Sequence, residues 1–474
     1  MNYNEVVAYI EERNKMGSVL GLQNIINLLG RLGNPEKKIP AFHIAGTNGK
    51  GSIMAYVETV LIKAGLKVGR YISPTIYEYR ERWQINKEYI SAEECSSIMT
   101  DVINETNKMD EENAGSPTSF EIETAAAFHY FTKNKCDVIL IECGMGGRLD
   151  ATNVFGSTPI DVIASISFDH MQFLGNTLES IANEKLGIVK DGDILVSYPQ
   201  NEEVEKIIDD FARNTGRTET RTEIRKEART EKTGKETEKE IEKESVEEEK
   251  SVSLKEYYKA DRSALKVISQ DLKGSAFYYK GDNYSISLVG SVQIMNAITA
   301  IEAINAFNQI VKSYGLKKID RETVIEGLKD TKWDGRFTVL GEKPLFIADG
   351  AHNEEAWIRL AADINKYFTN RKLIFIIGVL KDKEYDKMLN LLTKYMYHAI
   401  TITSSSIRAL DGKYLAELIN ERGVSAEFIG SEEEAVDKAE SLAKEVGDDS
   451  VIIACGSLSF IGDIIRIKKE KDNE

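Results

Sequence analysis

Short runs that are apolar along most of their length alternate, through nearly the whole chain, with longer segments patterned for helix. Ala41–Ala45, Lys67–Ile72, Asp137–Glu142, Asp161–Ser167 and Ile194–Ser197 read as strands, with helices at Gly51–Gly65, Thr118–Thr132 and Thr177–Val189. A strand without polar alternation has to be covered on both faces, which a parallel sheet flanked by helices provides. A second series starts near Lys343, with strands expected at Leu345–Ala348, Leu373–Gly378, His398–Thr403 and Ser450–Cys455. Between the two series, Leu265–Leu288 reads as hairpin material and Val292–Asn308 as a helix. At 474 residues the chain is too long for one core. The pattern therefore predicts two α/β units that meet across a cleft.

One segment departs from this pattern. Arg213–Ser251 is almost entirely Glu, Lys, Arg and Thr, so it cannot bury enough apolar surface to fold alone. It is expected to be a surface insertion without catalytic role, either a loop or a solvated helix laced with Glu–Lys pairs. A docking arm is the alternative reading. The net charge of −16 argues against nucleic acid as a main partner, though a local positive pocket for a small anion remains compatible with it. No apolar run reaches the ~20 residues that span a bilayer. The start, MNYNEVVAYIEERNK, is acidic where a secretion signal needs a basic and then an apolar stretch. Four cysteines (Cys95, Cys136, Cys143, Cys455) lack metal-ligand spacing, which fits a reducing cytoplasm.

The first strand runs into the turn Gly46-Thr47-Asn48-Gly49-Lys50-Gly51-Ser52, followed by a helix. Glycines let backbone N–H groups converge on phosphate oxygens, Lys50 adds a mobile charge, and the Ser52 hydroxyl can reach Mg²⁺. The helix that follows points its positive end at the same anion. The spacing differs from the usual phosphate-binding loop, because Ile44 replaces the first glycine and Gly51 separates Lys50 from Ser52. By itself the loop could equally be a tight strand-to-helix turn with an incidental lysine.

Further candidates fall at the carboxyl ends of other strands, where open α/β sheets bind ligands. Glu142 ends an apolar strand and precedes a glycine-rich turn, so it is a candidate Mg²⁺ ligand. His170 follows the next strand and could be a metal ligand or a phosphate contact. Lys185 reads by default as a solvated helix lysine. In the second half, Arg336 offers a fork of donors that matches phosphate. Asp349 and His352 follow the strand Leu345–Ala348 and could meet a ribose and a base, although Asp-Gly and His-Asn are also common turn pairs.

Taken together these motifs resemble the folylpolyglutamate synthase and dihydrofolate synthase family within the Mur ligase superfamily. The matching stretches are HIAGTNGKGS (43–52), SP with RERWQIN (73–74, 80–86), TSFE (118–121) and ECGMGGRLDATN (142–153). They continue with DHMQFLG (169–175), EKLGIVK (184–190), WDGRF (333–337), DGAHN (349–353), GVLKDKEY (378–385) and GSLSFIGD (456–463). The resemblance implies a P-loop-containing parallel-sheet ATPase domain over 1–340, interrupted at 213–251, and a smaller Rossmann-like C-terminal domain over 341–474. It assigns Gly46 to Ser52, Asn296, Arg336, Asp349 and His352 to ATP. Ser52, Ser73, Glu142 and His170 would hold two Mg²⁺ ions, and Lys50, His170 and Lys185 would act in catalysis, with Lys185 carried as a carbamate. Leu20, Gly21, Leu22, Leu149, Asp150 and Ala151 would contact the pterin. Two positions depart from the family: Thr75 where a histidine is frequent, and Asp334 in place of the proline of Trp-Pro-Gly-Arg.

The implied reaction is ATP-dependent ligation of L-glutamate to a folate γ-carboxylate, or to dihydropteroate, through an acyl phosphate. The resemblance also implies a K⁺ requirement and a cytoplasmic monomer acting on small molecules. The nearest rival is a Mur-type ligase acting on a UDP-sugar peptide, which Ser73–Ile85 and GMGGRLDATN disfavour. A nucleotide-binding regulator that makes no bond would not need the Asp349–Asn353 set.

Overall fold

A computed structural model of the chain describes residues 1–15, 17, 21–156, 158, 160–214, 252 and 254–473. The first unit is built on an eight-stranded sheet. Its strands are β1 (Ala41–Ala45), β2 (Val68–Tyr71), β3 (Trp83–Ile85), β4 (Glu88–Tyr89), β5 (Val138–Glu142), β6 (Ile160–Ile163), β7 (Ile194–Ser197) and β8 (Glu256–Lys259). They lie in the order β4-β3-β2-β5-β1-β6-β7-β8, with β3 and β4 antiparallel at one edge and the other six parallel. β1 is central and buried at all five positions, as its lack of polar alternation requires. Helices Lys50–Lys63 and Gln293–Ile310 cover one face, where Phe42 and Ile44 pack with Tyr56, Val60 and Phe307. Helices Tyr3–Asn14, Gln23–Arg31, Ala92–Glu111 and Ser119–Lys133 cover the other. The last of these starts at a capping box: the Glu121 carboxylate accepts from Thr118 N at 2.7 Å, and Thr118 Oγ1 accepts from Glu121 N.

The expected hairpin is a three-stranded antiparallel sheet of β9 (Leu265–Asp271), β10 (Gly274–Tyr279) and β11 (Asp282–Ile286). The second unit carries β12 (Thr338–Glu342), β13 (Leu345–Asp349), β14 (Lys372–Ile377), β15 (Met396–Thr401), β16 (Ala426–Phe428) and β17 (Ser450–Cys455). Their order is β12-β13-β17-β14-β15-β16, parallel except for β12. Separate apolar cores fill its two faces.

One expected strand is shorter than its apolar run suggests. β6 stops at Ile163 rather than Ser167, because β1 ends at Ala45, whose carbonyl accepts from Ala164 N at 2.8 Å, and the backbone beyond bonds to the glycine-rich loop instead of a strand. Thr47 N donates to Ser165 O at 2.7 Å and Asn48 N to the same oxygen at 3.3 Å. Of the charged insertion, Arg213 and Asn214 form the end of the helix Glu202–Asn214, and residues 215–251 lie outside the described part of the chain. Among the described residues, no helix is long and apolar enough to cross a membrane.

Candidate active site

The carboxyl ends of β1, β5 and β13 converge on one cleft that is open to solvent. Its floor is the loop Gly46–Ser52, leading into the helix at Lys50. Gly46 has φ 155°, and a Cβ there would lie 2.6 Å from Ala164 Cβ, so only glycine fits against the bent strand. Lys50 folds back over the loop, its Nζ donating to Gly46 O at 3.2 Å and facing Glu142 Oε1 at 3.7 Å. Ser52 is 1% exposed at the cleft base, 3.5 Å from Gln293 Nε2.

Glu142 ends β5 and is nearly buried; Ser73 N donates to its Oε2 at 3.3 Å. Burial pushes its carboxyl up, against the opposing pull of Lys50. Lys185, far from being solvated, is 4% exposed and donates to Gly46 O at 3.1 Å. Burial, then the charge of Lys50, lowers its pKa to about 7. His170 stands at the cleft mouth with φ 50°, the left-handed region in which a non-glycine residue is strained. Its neighbour Asp169 faces Lys383 at 3.1 Å; burial alone would raise its pKa, but Lys383 and His170 hold it down at about 2.

The second unit closes the cleft. Asp349, the last residue of β13, accepts from Phe337 N and Ala351 N, both at 2.8 Å, and so fixes the turn carrying Arg336. The Arg336 guanidinium faces both Asp349 and Glu142 electrostatically, and burial lowers its pKa. His352 Nδ1 lies 2.8 Å from Gly350 O, so that nitrogen carries the proton and Nε2 is left as an acceptor. Burial lowers the pKa of this ring to about 4, so it is neutral near pH 7. On helix Gln293–Ile310, Asn296 Oδ1 is buried without a hydrogen-bond partner while its Nδ2 donates to Gln293 Oε1 at 3.1 Å.

The cleft lining thus includes Gly46 to Ser52, Ser73, Glu142, His170, Lys185, Asn296, Arg336, Asp349 and His352. The residues expected near a pterin are not in that lining. Gly21 and Leu22 precede helix Gln23–Arg31, Asp150 is buried accepting from Met145 N and Thr152 N, and Leu149 and Ala151 flank it. Leu20 lies outside the described residues. Sequence reasoning passed over Gln293 and the polar bridge between the units. In that bridge Asn48 Nδ2 donates to Glu355 Oε2 at 2.8 Å, and Asn353 Nδ2 donates to Asn48 Oδ1 at 3.1 Å and to Asp169 Oδ2 at 3.2 Å. Asn48, Asp169 and Asn353 lie within the matched motifs, Asn353 as the helix N-cap that it also is, whereas Glu355 lies outside them.

In donor chemistry, the Glu142 carboxylate, the Ser52 and Ser73 hydroxyls and the His170 imidazole that line the cleft suit a hard divalent cation. Among the described residues, no group of three or more His, Cys, Asp and Glu could hold a metal unaided.

Residues 44–304 match the Mur ligase middle domain and residues 335–458 the Mur ligase glutamate ligase domain. Fold and cleft together therefore define a ligase of the Mur class. A dihydrofolate synthase/folylpolyglutamate synthase of Bacillus subtilis is 33% identical over 467 residues, covering 98% of each chain. The structure of Mycobacterium tuberculosis folylpolyglutamate synthase complexed with ADP and AMPPCP superposes with a TM-score of 0.79 at 26% identity, over 98% of this chain and 99% of that one. A bifunctional folylpolyglutamate synthase/dihydrofolate synthase with Mn, AMPPNP and L-glutamate bound gives a TM-score of 0.74 at 26% identity over 98% of each. The chain belongs to the dihydrofolate synthase/folylpolyglutamate synthase family.

Proposed function

We infer that the protein joins L-glutamate to the γ-carboxylate of a folate, at the expense of ATP, and that the same cleft also accepts dihydropteroate. The observation that carries this reading is the convergence of Lys50, Glu142 and Lys185 from one unit with Arg336, Asp349 and His352 from the other. A nucleotide-binding regulator would not need the second set.

The acceptor carboxylate attacks the γ-phosphorus of ATP, releasing ADP and leaving an acyl phosphate. The glutamate amine then attacks the acyl carbon, the C–O bond to phosphate breaks, and the amine gives up a proton. Phosphorylation is needed because a carboxylate has no adequate leaving group. Lys50 and Arg336 approach the phosphates from opposite walls and offset the charge of the moving phosphoryl group. The helix start at Gly49 to Ser52 supplies N–H donors while Gly46 to Asn48 shape the loop, Thr47 N and Asn48 N being held by Ser165 O. Asn296 Oδ1 has a free acceptor site for an adenine amine, and Asp349 and His352 take the ribose side. Ser52, Ser73, Glu142 and His170 would hold two Mg²⁺ ions, which supply Lewis-acid charge neutralisation when bound. Lys185, neutral above its pKa of about 7, is the form of lysine that adds CO₂ to give a carbamate. Closure of the second unit over the first excludes water, which would otherwise hydrolyse the acyl phosphate. A pterin site around 20–22 and 149–151, a K⁺ requirement, a cytoplasmic location and a monomeric state complete the proposal, with 213–251 interrupting the first domain and the second beginning at β12 rather than inside it at 340/341.

Phosphate release with ATP, Mg²⁺ and L-glutamate tests it, comparing tetrahydrofolate with dihydropteroate. Glutamate-dependent release with both acceptors is expected. Release with tetrahydrofolate alone would restrict the enzyme to chain extension. Release only with a UDP-linked peptide would overturn the folate assignment.

A further inference from the structure

Three segments far apart in sequence meet beside the mouth of the cleft: the loop after Ser73, the connection at 333–335 between the units, and the final helix Leu458–Asn473. Glu81, only 4% exposed, accepts from Ile76 N and Tyr77 N at 2.7 Å each and so fixes the turn. The turn aims the Tyr77 phenol at Asp334, where Tyr77 Oη donates to Asp334 Oδ2 at 2.5 Å. Lys469 Nζ donates to that same oxygen at 2.8 Å. The backbones are equally close. A Cβ on Gly462 would stand 2.1 Å from Ile76 O, so the final helix reaches the loop only because this residue has no side chain. Gly335, at φ 74°, holds the other side, a Cβ there falling 3.3 Å from Ile76 Cδ1.

We propose that Asp334 is a positioning residue, clasping Tyr77 of the Ser73 loop to Lys469 of the final helix so that the loop takes its substrate-binding position only when the units approach. The proposal rests on the folate-ligase reading, in which the loop at Ser73 borders the acceptor. Asp334 stands two residues before Arg336, and Tyr77 four residues after Ser73; both Arg336 and Ser73 line the cleft. A shift of the clasp is therefore passed to both through short stretches of chain. Asp334 and Lys469 are 31% and 55% exposed, so the ion pair adds little to global stability. Its effect is on where the loop sits.

The full-length enzyme and its Tyr77→Phe, Asp334→Asn and double variants test this, with Lys469→Gln isolating the ionic half. Each of the first two is expected to raise KM for tetrahydrofolate about fivefold, with KM for ATP within about twofold and an unchanged melting temperature. The double variant is expected to be no worse than the worse single one, because the two groups form one contact. Lys469→Gln is expected to raise KM about twofold and to lose that effect in high salt. Equal changes for both substrates, strictly additive effects, or an unchanged KM for tetrahydrofolate would overturn the clasp. Hydrogen exchange over residues 75–82 needs no turnover: faster exchange in both single variants is expected, and unchanged exchange overturns the proposal. Failure of the wild-type enzyme to use any folate would instead strike the functional reading.

Discussion

An ammonium group enclosed by the sheet, with a second ammonium close by, gives up its proton more readily than one in water, and Lys185 titrates at about 7 for that reason. Its folded value lies below the ordinary 10.5, so between those pH values the unfolded chain binds more protons, and this group's contribution to stability improves as pH rises. Replacing it tests the carbamate directly. Lys185→Ala should lower kcat by about a hundredfold, with acetate or formate restoring part of the rate by supplying the missing carboxylate. A ¹³C carbamate signal from labelled bicarbonate should vanish in the variant. His43 carries the same kind of liability at lower pH. It lies on β1 beneath the loop, fully buried, with Nε2 2.8 Å from Thr152 Oγ1 and 3.0 Å from Cys143 Sγ. Burial, reinforced by Lys190, lowers its pKa from 6.5 to about 3. The unfolded chain therefore takes up the proton first as pH falls below 6.5, and stability drains away through the window down to about 3. Denaturation midpoints measured from pH 7 to 4 should fall less steeply in His43→Gln than in the wild type.

At the scale of elements, strands that are apolar throughout announced themselves: β1, β7 and β17 have the bounds that their residues suggest. Edge strands did not. β4, β8 and β16 are two to four residues long and partly polar, since an edge has a solvated side and needs no continuous apolar run. β6 was overestimated because Ser165 and Ser167 serve the glycine-rich loop, a tertiary demand that periodicity does not carry. That demand makes the loop and β6 one mechanical unit, and Gly46 is where they touch. Gly46→Ala places a methyl group 2.6 Å from Ala164 Cβ at a φ of 155°. Relief requires one segment to move, at a cost of about 1–3 kcal/mol. Because the loop is less well held than the sheet, it should be the part that yields. Chemical denaturation should show the modest loss, and titration with an ATP analogue should show at least about a tenfold weaker affinity.

For the whole molecule, the sequence motifs name most of the side chains that line the cleft but are silent on what joins its two walls. Glu355 and Arg359 look like an ordinary i,i+4 pair on a solvated helix, and nothing in the local pattern shows that both reach Ser165 of the other unit. The same holds for Lys383, which pairs with Asp169 across the gap at 3.1 Å while the two side chains are only 15% and 14% exposed. This pair belongs to the bridge of Asn48, Asn353 and Glu355, so the approach of the units is set by polar groups at the rim of the nucleotide cleft, where ligand charge can bias it. Removing the ammonium by Lys383→Met leaves the Asp169 carboxylate with Asn353 Nδ2 and its own backbone neighbour His170 N. A half-enclosed carboxylate losing its cation costs about 1–3 kcal/mol, and the molecule recovers most of it by opening and hydrating the group. The variant without nucleotide should therefore show a larger radius of gyration by X-ray scattering than the wild type. Saturating ATP analogue should bring the two together, because phosphate contacts to Lys50 and Arg336 close the cleft independently. Turnover should fall about tenfold, through the population of closed enzyme rather than through the chemical step. An unchanged radius with unchanged turnover would mean that Lys383 and Asp169 do not set the closure.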